Sequence, residues 1–411
     1  MNPIPVHRRC VLYVSGFDPK GAAHYHGLFQ EEGPKQTPHN GLRLDVGPRQ
    51  RLKNGDSRWR VRAASSGTEV QTTVEFLHWD DVVRAHWTRA TPRLWWQIVS
   101  TTLFNLRHGA LWRMYRLSWP PALALFLPFV LVCAMVLGGP LLGGLSAWAM
   151  ANLGAGTGWV LAAGLLASGA WAGLGWVLQA RYSMHWMMRS YAFNALQAQG
   201  LTPDLEQRLD AHAQTLVDRV MAAEHDEVLL VGHSSGANMA ASVLARACRL
   251  NPAVAQQTTV LSFLTLGQWI PSLGTLPMAH AYRRDLETLA SANGVHWVDF
   301  SAPSDACCFA LQNPLLACGV APAAPGISVQ VINPKFADMF APTDYAALKK
   351  DRLSLHFQYL KASPRPVLFD YFSIVAGPLT LEQRFKNQGD ASHYNALRGP
   401  IWSLWGSHTG V

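Results

Sequence analysis

The residues best placed to do chemistry form one short run, Gly232-His233-Ser234-Ser235-Gly236, which follows an apolar stretch at 226–231 (DEVLLV) and leads into Ala237-Asn238-Met239-Ala240-Ala241. A serine hydroxyl is a weak nucleophile until a neighbouring base takes its proton, so the surroundings of Ser234 matter more than the residue type. In G-x-S-x-G spacing the serine sits on a strained strand-to-helix turn. Glycines are needed at its two ends, Gly232 and Gly236, because side chains there would collide with adjacent backbone. The turn lifts Ser234 above the edge of a sheet, and the N-terminus of the following helix stabilises negative charge that develops there. A bare G-x-S-x-G is common by chance; the apolar strand before it and the small-residue helix after it give this one meaning. His233, inside the turn, is expected to pack beside the serine rather than act as its base.

The elements that must hold such a turn are short apolar strands alternating with helices. Residues 11–15, ended by Gly16, suit a buried parallel strand, and 57–64 and 70–77 are two further β-rich stretches. The Gly- and Pro-containing charged segment at 31–56 reads as a connecting loop, and 78–87 as a helix. Beyond residue 200 the pattern is a polar helix at 203–223, the strand at 226–231, a helix at 236–249, and strands at 258–266, 295–300 and 327–332, with a helix at 278–291 between the first two of these. This alternation predicts an α/β fold with a mostly parallel sheet and helices on both faces.

With the elbow in this context the chain resembles the α/β-hydrolase superfamily, and within it lipase-type and esterase-type serine hydrolases. The resemblance covers about 11–30, 57–90 and 200–400. It implies a serine nucleophile, an acid and a histidine in that chain order, with an oxyanion hole of two backbone amides. The acid is expected just past the strand at 295–300, which makes Asp305 the choice, with Asp299, inside the strand, in a structural role. His356 best fits the place after the last strand; His393 and His408 are the alternatives. The two amides would be those of Phe17, after the first strand, and Ser235. His24, Tyr25 and His26 lie close enough in sequence to line a pocket. The implied reaction is cleavage of an ester-like substrate through an acyl-enzyme on Ser234, with no metal or organic cofactor required.

Composition adds a membrane. Only 15% of residues are charged, against roughly 25% in an ordinary soluble domain, and the chain carries 16 Trp. No charged residue occurs from Leu117 to Ala180, far more than the roughly 20 apolar residues one spanning helix needs. Two spans fit, at about 121–142 and 157–179, and the small-xxx-small pair Gly169 and Gly173 suggests a close helix–helix contact. The formal charge of +8 is placed where a bilayer would use it, with Arg93, Arg107, Arg113 and Arg116 before the apolar stretch and Arg181 and Arg189 after it. Residues 92–118 could lie as an amphipathic helix at the interface, or simply lead into the first span. Positive flanks and an uncharged turn predict cytoplasmic ends, and hence a multi-pass protein of a bacterial inner membrane with its catalytic domain in the cytoplasm.

The organisation expected is therefore a fold interrupted once: 1–91, a membrane insertion at 92–185, and 186–411 with the elbow. A small-molecule or lipid acyl substrate and the bilayer are the expected partners. No dense basic run with interleaved aromatics points to nucleic acid, and the six cysteines show neither a CxxC pair nor a ligand spacing with histidine. Two spans without an intramembrane charge argue against a transporter. The alternative function is a non-catalytic membrane scaffold that keeps the hydrolase fold.

Overall fold

The computed structural model describes residues 5–392 apart from 66, 90, 182–183, 322 and 324–325. Its centre is a mixed sheet of nine strands. In chain order these are β1 (Arg8–Val14), β2 (Arg43–Val46), β3 (Gln50–Arg51), β4 (Ser57–Ser65), β5 (Thr68–Phe76), β6 (Glu227–His233), β7 (Val260–Leu266), β8 (His296–Phe300) and β9 (Ser328–Ile332). Across the sheet the order is β2-β4-β5-β1-β6-β7-β8-β9, with β3 paired to β4. From β5 to β9 every pairing is parallel. β4 runs antiparallel to β5, and β2 and β3 antiparallel to β4.

The central strands are apolar throughout because both of their faces are covered. Along β1, Cys10, Leu12 and Val14 enter one hydrophobic core while Val11 and Tyr13 enter the other. β6 divides likewise, Val228 and Leu230 against Leu229 and Val231. This is period-2 alternation with an apolar layer on each side. Helices α8 (Pro203–Met221) and α9 (Gly236–Leu250) supply the first layer, and α1 (Ala22–Asn40) belongs to the second. An ion pair locks the sheet's N-terminal edge to the end of the fold. Arg9 Nε meets Glu227 Oε2 at 2.6 Å with both side chains fully buried, and Arg9 also donates to the carbonyls of Gly377 and Leu379.

One segment read as a loop is different. Residues 31–40 complete α1, although Pro34 and Pro38 lie inside it, and 43–46 and 50–51 are β2 and β3. Each proline removes a helical hydrogen bond, but tertiary contacts compensate. Glu32 accepts from the Ala362 N–H at 3.0 Å and Gln36 from the Ser363 N–H at 2.6 Å, while Tyr25 and Phe29 are buried beneath.

Between β5 and β6 the chain leaves the sheet through α2 (Asp80–Ala85), α3 (Thr91–Arg107) and α4 (Ala110–Leu117), forms a helical hairpin, and returns through α7 (Met184–Ala198). The hairpin arms are α5 (Trp119–Asn152) and α6 (Thr157–Arg181). Both are long and apolar enough to cross a membrane, and only 28% and 6% of their most apolar windows are buried within the protein. Leu137, Leu141, Trp148, Leu165 and Leu166 are exposed, which a core helix would not leave so. At 34 residues α5 is about 50 Å long at 1.5 Å per residue, well beyond the roughly 30 Å of a hydrocarbon layer. Its first turns are docked on the sheet domain: Ala122 and Leu125 are buried in the core, and the Tyr191 hydroxyl donates to the Pro121 carbonyl at 2.7 Å.

The helix–helix seam is not formed by the predicted glycines, because a Cβ at Gly169 or Gly173 would touch nothing within 4 Å among the described residues. The contact lies instead on the Gly164, Ser168 and Trp171 side of α6. A Cβ at Gly164 would lie 3.1 Å from the Gly143 carbonyl oxygen. Ser168 donates to Gly139 O at 2.9 Å, and Trp171 Nε1 to Ala134 O at 3.0 Å.

Candidate active site

At the C-terminal ends of β1 and β6 the strand order reverses, since the chain adds β5 on one side of β1 and later β6 on the other. Such a point leaves a crevice in open α/β sheets. Ser234 stands there with φ of 59°, a left-handed conformation that costs a non-glycine residue roughly 1–3 kcal/mol. The surroundings enforce it: the Ser234 N–H donates to Leu266 O at 2.9 Å, and the chain must turn at once from β6 into α9. A Cβ at Gly232 would lie 2.6 Å from Ala237 Cα, and one at Gly236 would run into the carbonyl oxygens of Val14 and Ser15. Gly16 is constrained less severely: a Cβ there would sit 3.0 Å from Ser234 Cβ and 3.4 Å from Ser234 Oγ, so a larger residue would press on the serine.

Asp305 and His356, fifty-one residues apart, share a buried hydrogen bond of 2.7 Å between Asp305 Oδ2 and His356 Nδ1. The loop after β8 shapes the acid: the Asp305 N–H donates to Ala302 O, and Asp305 Oδ1 accepts the Cys307 N–H at 2.8 Å. With Nδ1 engaged, His356 is left with Nε2, which is buried and has no hydrogen-bond partner among the described residues. His356 ends a short helix, Arg352–His356, capped by the Asp351 side chain. It lines the same cavity as Ser234.

Two further residues support this pair, of which Tyr359 was not legible in the sequence. A carbonyl can only accept, so His233 Nε2 donates to His356 O at 3.2 Å, and the two rings lie 4.9 Å apart. Burial, and secondarily the neighbouring His356, pushes the His233 pKa well below its ordinary value. It stays neutral and holds the His356 backbone, in keeping with a packing role. Tyr359 accepts the Ala302 N–H on its hydroxyl at 2.8 Å, bracing the acid loop from below; its position in FQYL carries no motif.

Asp299 is fully buried on β8 and accepts from Thr265 Oγ1 at 2.7 Å and Ser301 Oγ at 2.8 Å. Burial raises its pKa to about 7 against the opposing pull of those two hydroxyls. No histidine is among its hydrogen-bond partners in the described residues. His393 and His408 lie outside the described residues.

Both expected oxyanion amides are at the site, in unequal states. The Ser235 N–H makes no hydrogen bond among the described residues, whereas the Phe17 N–H donates to Ser235 Oγ at 2.7 Å. Of the three residues following the first turn, Tyr25 lines the cavity and bonds Asp18. His24 packs on Tyr25, and His26 bonds Gly47 O.

The cavity over Ser234 has a volume of about 280 Å³. Its walls are largely apolar and come from distant elements: Ala124, Leu127 and Pro128 of α5, Trp186 and Met187 of α7, Trp269, Leu353 and Phe357. Ligand-capable atoms of Asp305, Cys307 and His356 lie within 4.8 Å of one another. The Asp305–His356 hydrogen bond occupies one such atom on each of two of these residues. Neither known protein families, nor curated proteins, nor solved structures give a match to this chain.

Proposed function

We propose that the protein is a membrane-anchored serine hydrolase of the α/β-hydrolase type that cleaves ester-like acyl substrates. The observation that carries the reading is the convergence on one cavity of a serine at φ 59° and a histidine whose Nδ1 is bound by a buried carboxylate. His356 Nε2 takes the Ser234 proton as Oγ bonds to the carbonyl carbon. Asp305 holds the ring in the right tautomer and stabilises the imidazolium. The tetrahedral oxyanion is received by the Ser235 N–H and by the Phe17 N–H, which exchanges Ser235 Oγ for the stronger acceptor. His356 then protonates the departing alkoxide as its C–O bond breaks. Water, deprotonated by the same nitrogen, releases the acid and restores Ser234.

The apolar hairpin supports anchoring, and its arginine flanks support a cytoplasmic domain in a bacterial inner membrane. Because α5 contributes part of the cavity wall, the anchor and the site are one construction, which favours lipid or long-chain acyl substrates. Turnover of p-nitrophenyl butyrate by the detergent-solubilised protein tests the catalytic reading. Hydrolysis that disappears in Ser234→Ala is expected; no turnover favours the scaffold alternative, and equal turnover in the variant removes Ser234 as the nucleophile.

A further inference from the structure

We infer that the cavity selects acyl esters of an anionic glycerophospholipid, with Arg352 and Lys20 receiving the phosphate; this rests on the hydrolase reading above. Arg352 lies on the cavity wall and is exposed, its guanidinium making no hydrogen bond or ion pair among the described residues. Lys20 is not on the wall, but its ammonium lies 5.9 Å from the ring centre of Trp186 and 5.7 Å from that of Phe357, two rings that are. Trp186 is fixed in turn by donating to Phe17 O at 2.7 Å. The Lys20 ammonium likewise has no ion pair among the described residues, although its backbone N–H donates to Asp18. Two cations held beside one cavity without counter-ions make a receptor for an anion, and a guanidinium matches a phosphate through two parallel hydrogen bonds.

Asp18 is the one carboxylate among the described wall residues, and it is already committed. It is 1% exposed, and it accepts from the Tyr25 hydroxyl at 3.1 Å and the Lys20 N–H at 3.0 Å. The rest of the wall is acyl-compatible, and three of its residues, Ala124, Leu127 and Pro128, belong to the helix that continues to Asn152 as a candidate span. An ester at Ser234 with its chain along α5 and its phosphate towards Arg352 is therefore continuous with a bilayer leaflet. The cavity is at the lower limit of ordinary ligand pockets, roughly 300–1,000 Å³, so it holds the ester and a short length of chain.

The full-length protein in a neutral detergent would be assayed on dihexanoyl phosphatidylglycerol and on 1,2-dihexanoylglycerol, a neutral ester that lacks the phosphate. Both are kept below their micelle concentrations, so that attraction of the protein's net positive charge to an anionic surface does not enter. The anionic ester is expected to show a kcat/KM about tenfold higher, as loss of one charge-assisted contact would imply. The preference should fall towards one in the Lys20→Gln/Arg352→Gln double variant and remain in Arg60→Gln, a change at an exposed cation on β4. Equal rates on the two lipids, or a preference retained in the double variant, overturns the inference. Hexanoyl-coenzyme A, a soluble anionic acyl carrier, is the third substrate; if it is turned over faster than the phosphatidylglycerol and loses that advantage in the double variant, the lipid assignment is overturned. If p-nitrophenyl butyrate is not cleaved either, the hydrolase reading itself has failed and this inference falls with it.

Discussion

Asp305→Asn should abolish most of the activity through a tautomer switch that the hydrogen bonds dictate. Asp305 Oδ1 accepts the Cys307 N–H at 2.8 Å, while Oδ2 faces His356 Nδ1 at 2.7 Å. The new amide must keep its oxygen towards the Cys307 donor, so its NH2 group replaces Oδ2. An NH2 group can only donate, which makes His356 Nδ1 an acceptor and moves the ring proton to Nε2. A protonated Nε2 cannot take the Ser234 proton, and the negative charge that stabilises the imidazolium is gone. The expected loss is about 10³–10⁴-fold in the rate of fluorophosphonate labelling, or roughly 4–5.5 kcal/mol of transition-state stabilisation. The thermal midpoint should move little, because size and shape are kept. Asp299→Asn is the internal comparison: its carboxylate binds Thr265 and Ser301 rather than a histidine, and labelling should fall less than tenfold. A labelling rate for Asp305→Asn within tenfold of the parent, or a larger loss in Asp299→Asn, would refute the assignment of the acid.

The seam of the hairpin predicts an asymmetry: Gly164→Leu, whose side chain would meet Gly143, should lower the thermal midpoint in detergent, whereas Gly169→Leu should not. The buried Arg9–Glu227 pair predicts that Arg9→Met destabilises by about 3–5 kcal/mol, because an uncompensated buried carboxylate remains; a thermal melt reads it, and an unchanged midpoint counts against the pair's importance. For orientation, Asn152→Cys at the end of α5 should react with an impermeant maleimide from the periplasmic side of intact cells, and labelling only after lysis would reverse the proposed topology.

The difference between what was legible in sequence and what was not follows from the range of the forces involved. The elbow around Ser234 is local: its glycines, strand and helix are consecutive, and the same steric rule operates in sequence and in space. The parallel strands were legible because burial on both faces leaves continuous apolar runs, as in β6 and β7. Pro34 and Pro38 concealed most of α1, since the contacts that stabilise it, Glu32 to Ala362 and Gln36 to Ser363, come from more than 300 residues away. Gly169 and Gly173 lie on a helix that is apolar all round, where no polar face marks which side meets the partner. The pairing of Asp305 with His356 needed the fold to bring them together, and nothing in the sequence foretold that Ser235 Oγ would hold the Phe17 amide or that Gly16 would have to clear Ser234.

The central claim is that Ser234 Oγ is a nucleophile activated by His356. The most direct measurement is intact and peptide mass spectrometry of the purified full-length protein after reaction with a fluorophosphonate. One phosphonyl group per chain, on the peptide containing Ser234 and absent from Ser234→Ala, with formation slowed about a thousandfold or more in His356→Ala, is the predicted result. No adduct, or an adduct of equal yield in Ser234→Ala, would contradict it.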